Sequence, residues 1–158
     1  MTPSRVMNTK FRRIPCELVG LLLCLGGCAT VESSSYLERH YLLNQEQVKT
    51  VGLPLIEWEY GTVRQTQLGK NGDTTISKDG IRKELLYKGT VKGILTLIYR
   101  EYAIHADIAF LREPFSYEVQ YDLSESKMIA FQDFRIKISI ANQEEIRYSI
   151  VSEPTDFR

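Results

Sequence analysis

Phe115-Ser116-Tyr117-Glu118-Val119-Gln120-Tyr121-Asp122-Leu123 decides the fold. Large apolar side chains occupy every second position, and polar ones fill the gaps. A strand turns successive side chains to opposite faces, so this stretch predicts a strand with an aromatic-rich face inward and a polar face outward. The same period of two recurs on both sides of it. Upstream, Ile56, Trp58 and Tyr60 alternate with Glu57 and Glu59 behind Pro54, a residue suited to a strand start or edge. Downstream, Met128 to Phe131 reads as a short strand. Phe134, Ile136, Ile138 and Ile140 alternate with Arg135, Lys137 and Ser139, and after Asn142-Gln143-Glu144 the pattern returns at Ile146, Tyr148 and Ile150, completing a hairpin.

Between these segments lies a second predicted hairpin, Ile81–Tyr87 and Ile94–Tyr102 around a Gly89…Gly93 loop. The stretch from Gly61 to Gly80 is weaker. A strand over Thr62–Leu68 is expected, an exposed turn over Lys70–Asp73, and another turn signal at Asp79-Gly80. Tyr36 to Val48 is open between two readings. Ser35-x-x-Glu38 fits a capping box, with Leu37 and Tyr41 at helical spacing, whereas the β character of the rest of the chain favours a strand near Tyr41–Leu43. Many short strands with little helix predict an all-β fold, a single small antiparallel sandwich or barrel over residues 36–158.

The N-terminus has another character. Arg5, Lys10, Arg12 and Arg13 precede an apolar run from Leu18 to Leu25, interrupted at its edge by Glu17. Eight residues fall short of the roughly 20 that cross a bilayer. A charged start, a short apolar middle and small residues at the end form an export signal, and Met7 is an alternative start to Met1. Leu25-Gly26-Gly27-Cys28 resembles the lipobox of bacterial lipoproteins. Of Cys16, Cys24 and Cys28, only Cys28 follows small residues. The resemblance implies cleavage between Gly27 and Cys28, which places a signal peptide at 1–27. It also implies acyl chains such as palmitate on Cys28, and two or more such chains anchor stably where one does not. Ala29, rather than an aspartate, follows the cysteine, which in Gram-negative lipoproteins implies the outer membrane. Residues 28–35, with Ser33-Ser34-Ser35, read as the lipidated cysteine and a flexible tether. Segments such as Gly80–Tyr87, Ile98–Tyr102 and Tyr121–Ser124 make the domain similar to a group of uncharacterised Gram-negative envelope lipoproteins. That resemblance implies an envelope location and a β-fold and carries no activity with it.

Processing would leave 131 residues, enough for one core. Sixteen basic and nineteen acidic residues would remain, a net charge of −3, which argues against nucleic acid as a partner. No disulfide could form, because Cys16 and Cys24 would be removed.

Catalytic chemistry finds little support. His40 and His105 are the only histidines. His105 and Asp107, two apart on a strand, would give two metal ligands where a catalytic zinc takes three. Glu57 and Glu59 share a strand face, a pairing that also occurs on ordinary solvated sheet faces. No Gly-x-Ser-x-Gly elbow, thiol nucleophile or phosphate loop is expected in the processed chain. Neither a metal nor a cofactor is expected beyond the covalent lipid.

Ile94–Tyr102 breaks the one-face rule. Leu95, Leu97 and Tyr99 are apolar on one face, Ile94 and Ile98 on the other, where Arg100 and Tyr102 follow. A strand apolar on both faces is covered on both. Either a loop or the Tyr36 segment lies over it, or the face of Ile94, Ile98, Arg100 and Tyr102 is an interface for a protein of the cell envelope. The alternative is a small-ligand or envelope-polymer binder, of the kind found among inhibitor-type β-barrel lipoproteins, using a barrel interior lined by Trp58, Tyr117 and Tyr121. Because no disulfide depends on the Cys28 sulfur, Cys28→Ser should yield a soluble, unprocessed or misrouted protein whose domain still folds. Membrane fractionation together with circular dichroism checks this, and wild-type retention in the outer membrane would contradict the lipobox.

Overall fold

The computed structural model describes residues 29–68 and 72–155. The expected signal peptide, the expected cleavage site at Gly27 and Cys28, and Lys70 and Asn71 of the expected Lys70–Asp73 turn lie outside the described residues. What is described is an antiparallel sandwich of two sheets, not a closed barrel. The strands are β1 (Ala29–Arg39), β2 (Glu46–Thr50), β3 (Pro54–Leu68), β4 (Thr74–Val91), β5 (Ile94–His105), β6 (Ile108–Leu111), β7 (Tyr117–Asp122), β8 (Met128–Phe131), β9 (Phe134–Ala141) and β10 (Glu145–Ser152). One sheet runs β1-β3-β4-β5, with β6 and β7 both paired to β5 at different points along its length. The other runs β2-β10-β9-β8.

The core lies between the sheets. From the larger sheet come Ile56, Trp58, Leu85, Tyr87, Leu95, Leu97 and Tyr99. The smaller one contributes Ile129, Phe131, Phe134, Ile136, Ile138, Ile146, Tyr148 and Ile150. These are the apolar positions of the alternating segments. Phe134 sits at the centre, its ring 5.2 Å from that of Trp58 and 5.6 Å from that of Tyr41. Two tyrosines stitch the layers together. Tyr148 donates to the Leu55 carbonyl at 2.6 Å, and Tyr87 donates to that of Asn142.

Several expectations need correction. The seven residues after Cys28 are not a free tether. β1 starts at Ala29 and pairs with β3 without a register shift from Ala29↔Leu68 to Arg39↔Trp58. Backbone pairing does not require large side chains, so the serine run is accommodated in a strand. The Tyr36 segment is not helical, but the expected strand near Tyr41–Leu43 is absent too: β1 ends at Arg39 and β2 begins at Glu46. Residues His40–Asn44 then carry the chain across to the second sheet, with Asn44 at φ 56°.

Asp79-Gly80 is not a turn but lies inside β4, opposite Gly61. A Cβ on Gly61 would stand 2.1 Å from the Asp79 carbonyl oxygen, so this glycine marks a close approach of two backbones rather than a change of direction. At the other end of β4, Gly89 forms a bulge, and the reversal is made by Lys92 and Gly93, both at positive φ as a tight hairpin needs. Phe115 belongs to a short 3-10 turn, Glu113–Phe115, so the decisive strand begins at Tyr117. Tyr117 is largely exposed, and β7 turns Val119, Tyr121 and the adjoining Leu123 toward the core.

Truncating a fully buried aromatic typically costs about 3–5 kcal/mol. Phe134→Ala should therefore lower the urea midpoint sharply. Ile140→Ala, at an exposed position on the same strand, should barely move the midpoint, a change of about a few tenths of a kcal/mol in stability.

Candidate functional site

The larger sheet turns one face to the core and the other outward. On the outward face, cross-strand partners run in rungs across β5, β4 and β3. Ile98 stands beside Leu86, Arg100 beside Glu84 and then Glu57, and Tyr102 beside Arg82 and then Glu59. Ile94, Ile98, Arg100 and Tyr102 do share this face, as the period of two requires. All four are half-buried, while Leu86 and Ile104 between and beside them are shielded. β5 is also a central strand, held by β4 on one side and by β6 and β7 on the other. That pairing satisfies its backbone on both edges, and same-face neighbours such as Leu86 shield part of its outward side chains.

Below this apolar part the face becomes an ion-pair network. Glu59 is only 4% exposed. It accepts hydrogen bonds from Tyr36 Oη at 2.9 Å and Arg82 Nε at 2.9 Å, and Lys78 Nζ lies 3.8 Å away. Lys78 also pairs with Glu38 at 2.7 Å and sits 4.9 Å from the centre of the Tyr36 ring. The Glu57–Glu59 pair is thus no solvated strand face. Burying a carboxylate is tolerated because cations and a hydroxyl surround it. Arg82 is drawn in two directions. Burial works against its charge, but the Glu59 bond and the neighbouring Glu57 and Glu84 carboxylates prevail and hold its pKa up. Tyr36 is held protonated well above the ordinary range, first by burial and then by its bond to Glu59.

A surface cleft of about 310 Å³ opens over this network, lined by His40, Glu38, Glu57, Glu59, Lys78, Arg82, Ile104 and Asp107. It brings His40, not His105, next to carboxylates. Those carboxylates are already engaged by Arg82 and Lys78, and among the described residues no group of three or more His, Cys, Asp or Glu is arranged to hold a metal ion. His105 and Asp107 are not two positions on one strand. β5 ends at His105, and Ala106 and Asp107 form the β5–β6 turn at positive φ. His105 Nδ1 meets Asp79 Oδ1 at 2.8 Å, and Asp107 accepts from the Lys78 backbone N–H. Asp79 is held below the usual carboxylate range by the Ala106 N–H first, against the opposing effect of desolvation, and then by His105 and Arg64.

A second buried carboxylate, Glu101, faces the core side at the neighbouring rung. It pairs with Arg112, accepts from Tyr99 Oη at 3.1 Å, and has Lys83 Nζ at 3.8 Å. Tyr99 and Glu101 share a face because they stand two apart on one strand, and Arg112 reaches Glu101 from eleven residues away. Of the three residues suggested to line a ligand-binding interior, Trp58 is packed against Phe134. Tyr121 donates to the Ala130 carbonyl at 2.7 Å, and Tyr117 stands on the core-side face at its exposed margin, its ring 5.2 Å from that of Tyr99. A second cleft, of about 340 Å³, lies at the far end of the sheet between Lys88, Thr90, Thr96, Glu118 and Gln143.

Comparison with known proteins finds no matching family model, no similar curated protein and no similar solved structure. What the chain does has to be argued from its own surfaces.

Glu84 provides a test of the outward face. Burial raises its pKa first and repulsion from Glu57 adds to this, outweighing a hydrogen bond from Tyr102 and attraction to Arg82 and Arg100. Its folded pKa therefore exceeds the unfolded one, and the folded state holds this proton more readily. Ionising it costs stability above the folded pKa, a cost that is absent below the unfolded value. Glu84→Gln should raise the urea midpoint at about pH 7, with the gain shrinking toward zero at about pH 3. A gain that grows on acidification would contradict this assignment.

Proposed function

We propose that the chain is a lipoprotein of the Gram-negative outer membrane, anchored through acyl chains on Cys28, whose β-domain is a binding module for another protein of the cell envelope. The domain acts without catalytic chemistry and without a bound cofactor or metal. The contact surface is the outward face of β5, with Ile94 and Ile98 as the apolar part and Arg100 and Tyr102 as the polar part.

The observation that carries this reading is the half-buried Ile94/Ile98 pair, set on a central strand and followed on the same face by an arginine and a tyrosine. Arginine and tyrosine on a preordered surface are the composition that dominates interface energetics. A central strand also presents them with little entropy left to lose on binding. The lipid anchor is supported by the sequence at Leu25–Cys28. The absence of a catalytic role is supported by carboxylates that are committed to ion pairs.

In-cell crosslinking of the tagged, lipidated protein should capture a specific envelope partner. Ile98→Asp should abolish that capture, and Arg100→Glu should reduce it. Because Ile98 is half-buried beside Leu86, both variants are checked by thermal unfolding, and Arg100→Glu disturbs no apolar packing. Capture that survives both substitutions in folded protein would move the interface elsewhere. A domain that captures no protein would favour a small ligand or an envelope polymer.

A further inference from the structure

β1 has no slack between Cys28 and the folded domain. Its pairing with β3 begins at Ala29, and β3 pairs in turn with β4 out to Gln67↔Thr74. Beyond Gly61 and Gly80 these three strands leave the sandwich and continue as a ribbon formed by residues 29–36, 61–68 and 74–80. At about 3.3 Å per residue, Ala29 stands about 30 Å from the Arg39↔Trp58 rung, where the core begins.

The end of this ribbon has a distinct composition. The rungs Thr30–Gln67–Thr74 and Val31–Thr66–Thr75 carry no charged side chain; they lie between Asp73, beside Leu68 at the tip, and Glu32, which shares a rung and a face with Gln65 and Ile76. Around them Val31 is 60%, Leu68 63% and Ile76 60% exposed. Val31 and Leu68 lie on one face of the ribbon and Ile76 on the other, because Ala29 pairs with Leu68 and Gln65 with Ile76. Charged residues resume at Glu32, Arg64 and Lys78. Apolar side chains this exposed on both faces of a thin ribbon find no cover within the sandwich.

We propose that this ribbon end rests in the interfacial layer of the membrane, with Val31, Leu68 and Ile76 among the lipid headgroups and upper acyl chains, so that the ribbon is a stiff stalk holding the sandwich about 20 Å clear of the bilayer. The inference rests on lipidation of Cys28. Given that lipidation, geometry supplies the rest. Val31 is three residues from Cys28 and can stand no more than about 11 Å from it, so it stays near the bilayer for as long as the anchor is inserted. A free tether would have allowed the domain to tumble over the surface. A paired strand does not.

The test uses the full-length protein, processed in cells, purified, and reconstituted into vesicles of phosphatidylethanolamine and phosphatidylglycerol. Val31→Cys, Leu68→Cys, Ile76→Cys and, as a control at the far end of β4, Val91→Cys each carry an environment-sensitive fluorophore. The first three should show blue-shifted emission and quenching by nitroxide-labelled lipid. The fluorophore at residue 91 should show neither, and should transfer little energy to acceptor dyes on the headgroups. Mass analysis of the N-terminal peptide separates the two ways of failing. Water-like spectra at 31, 68 and 76 on a protein that does carry acyl chains would overturn the seated ribbon and leave the anchor standing. An N-terminal peptide without acyl chains would overturn the anchor and the stalk together.

Discussion

An apolar sheet face is stable only under cover, and in this molecule the cover is shorter than the sheet. The covering strands β8, β9 and β10 have four, eight and eight residues, whereas β3, β4 and β5 run for 15, 18 and 12. The position of the core follows from that mismatch. Where the sheets overlap, the inward positions are Ile56, Trp58, Leu85, Leu97 and Tyr99. Where the cover ends, paired charges take over on both faces. Glu59 faces out and Glu101 faces in, at adjacent rungs, and each has a cation from β4, Arg82 for the first and Lys83 for the second. Consecutive residues of a strand point to opposite faces, so one dipeptide of β4 serves both borders.

Past that border the three strands hold together through their backbones. Pairing within β1, β3 and β4 satisfies the polar groups that a lone hairpin would leave to water. Gly61 and Gly80 let two of the strands approach so closely that a side chain would not fit, and Tyr36 from β1 reaches across the outer face to Glu59. These contacts tie β1 to the sandwich. The N-terminal end of the described chain is consequently a fixed point of the fold rather than a loose extension of it.

How far the sequence reveals this depends on burial. Where one face is buried, alternation is strict, and the strands around Trp58, Phe134 and Tyr148 were legible for that reason. The ribbon is exposed on both faces, so its side chains carry no period, and Ser33-Ser34-Ser35 and Asp79-Gly80 then resemble a tether and a turn. β6 was missed because its turn, Ala106-Asp107, adopts positive φ without a glycine or asparagine to announce it. The face of Ile94, Ile98, Arg100 and Tyr102 was legible because spacing alone puts those side chains together. Burial of Glu59 was not, since it depends on Arg82 and Tyr36, each 23 residues away in the chain.

The stalk and the β5 face constrain one another. β4 runs from the ribbon end toward the sandwich, and β5 returns in the opposite direction. With the ribbon end at a membrane, Tyr102 and Arg100 lie on the near side of the face and Ile98 and Ile94 on the far side, with steps of about 7, 7 and 13 Å between them. The polar part of the face would then look toward the bilayer and its apolar part away from it. A partner approaching from the side away from the membrane would meet the isoleucines first and the arginine and tyrosine as it moves toward the bilayer. On the two readings taken together, the long sheet does two jobs with one set of strands. Its uncovered end sets the height and direction of the domain, and its covered part stiffens the strand that carries the contact face.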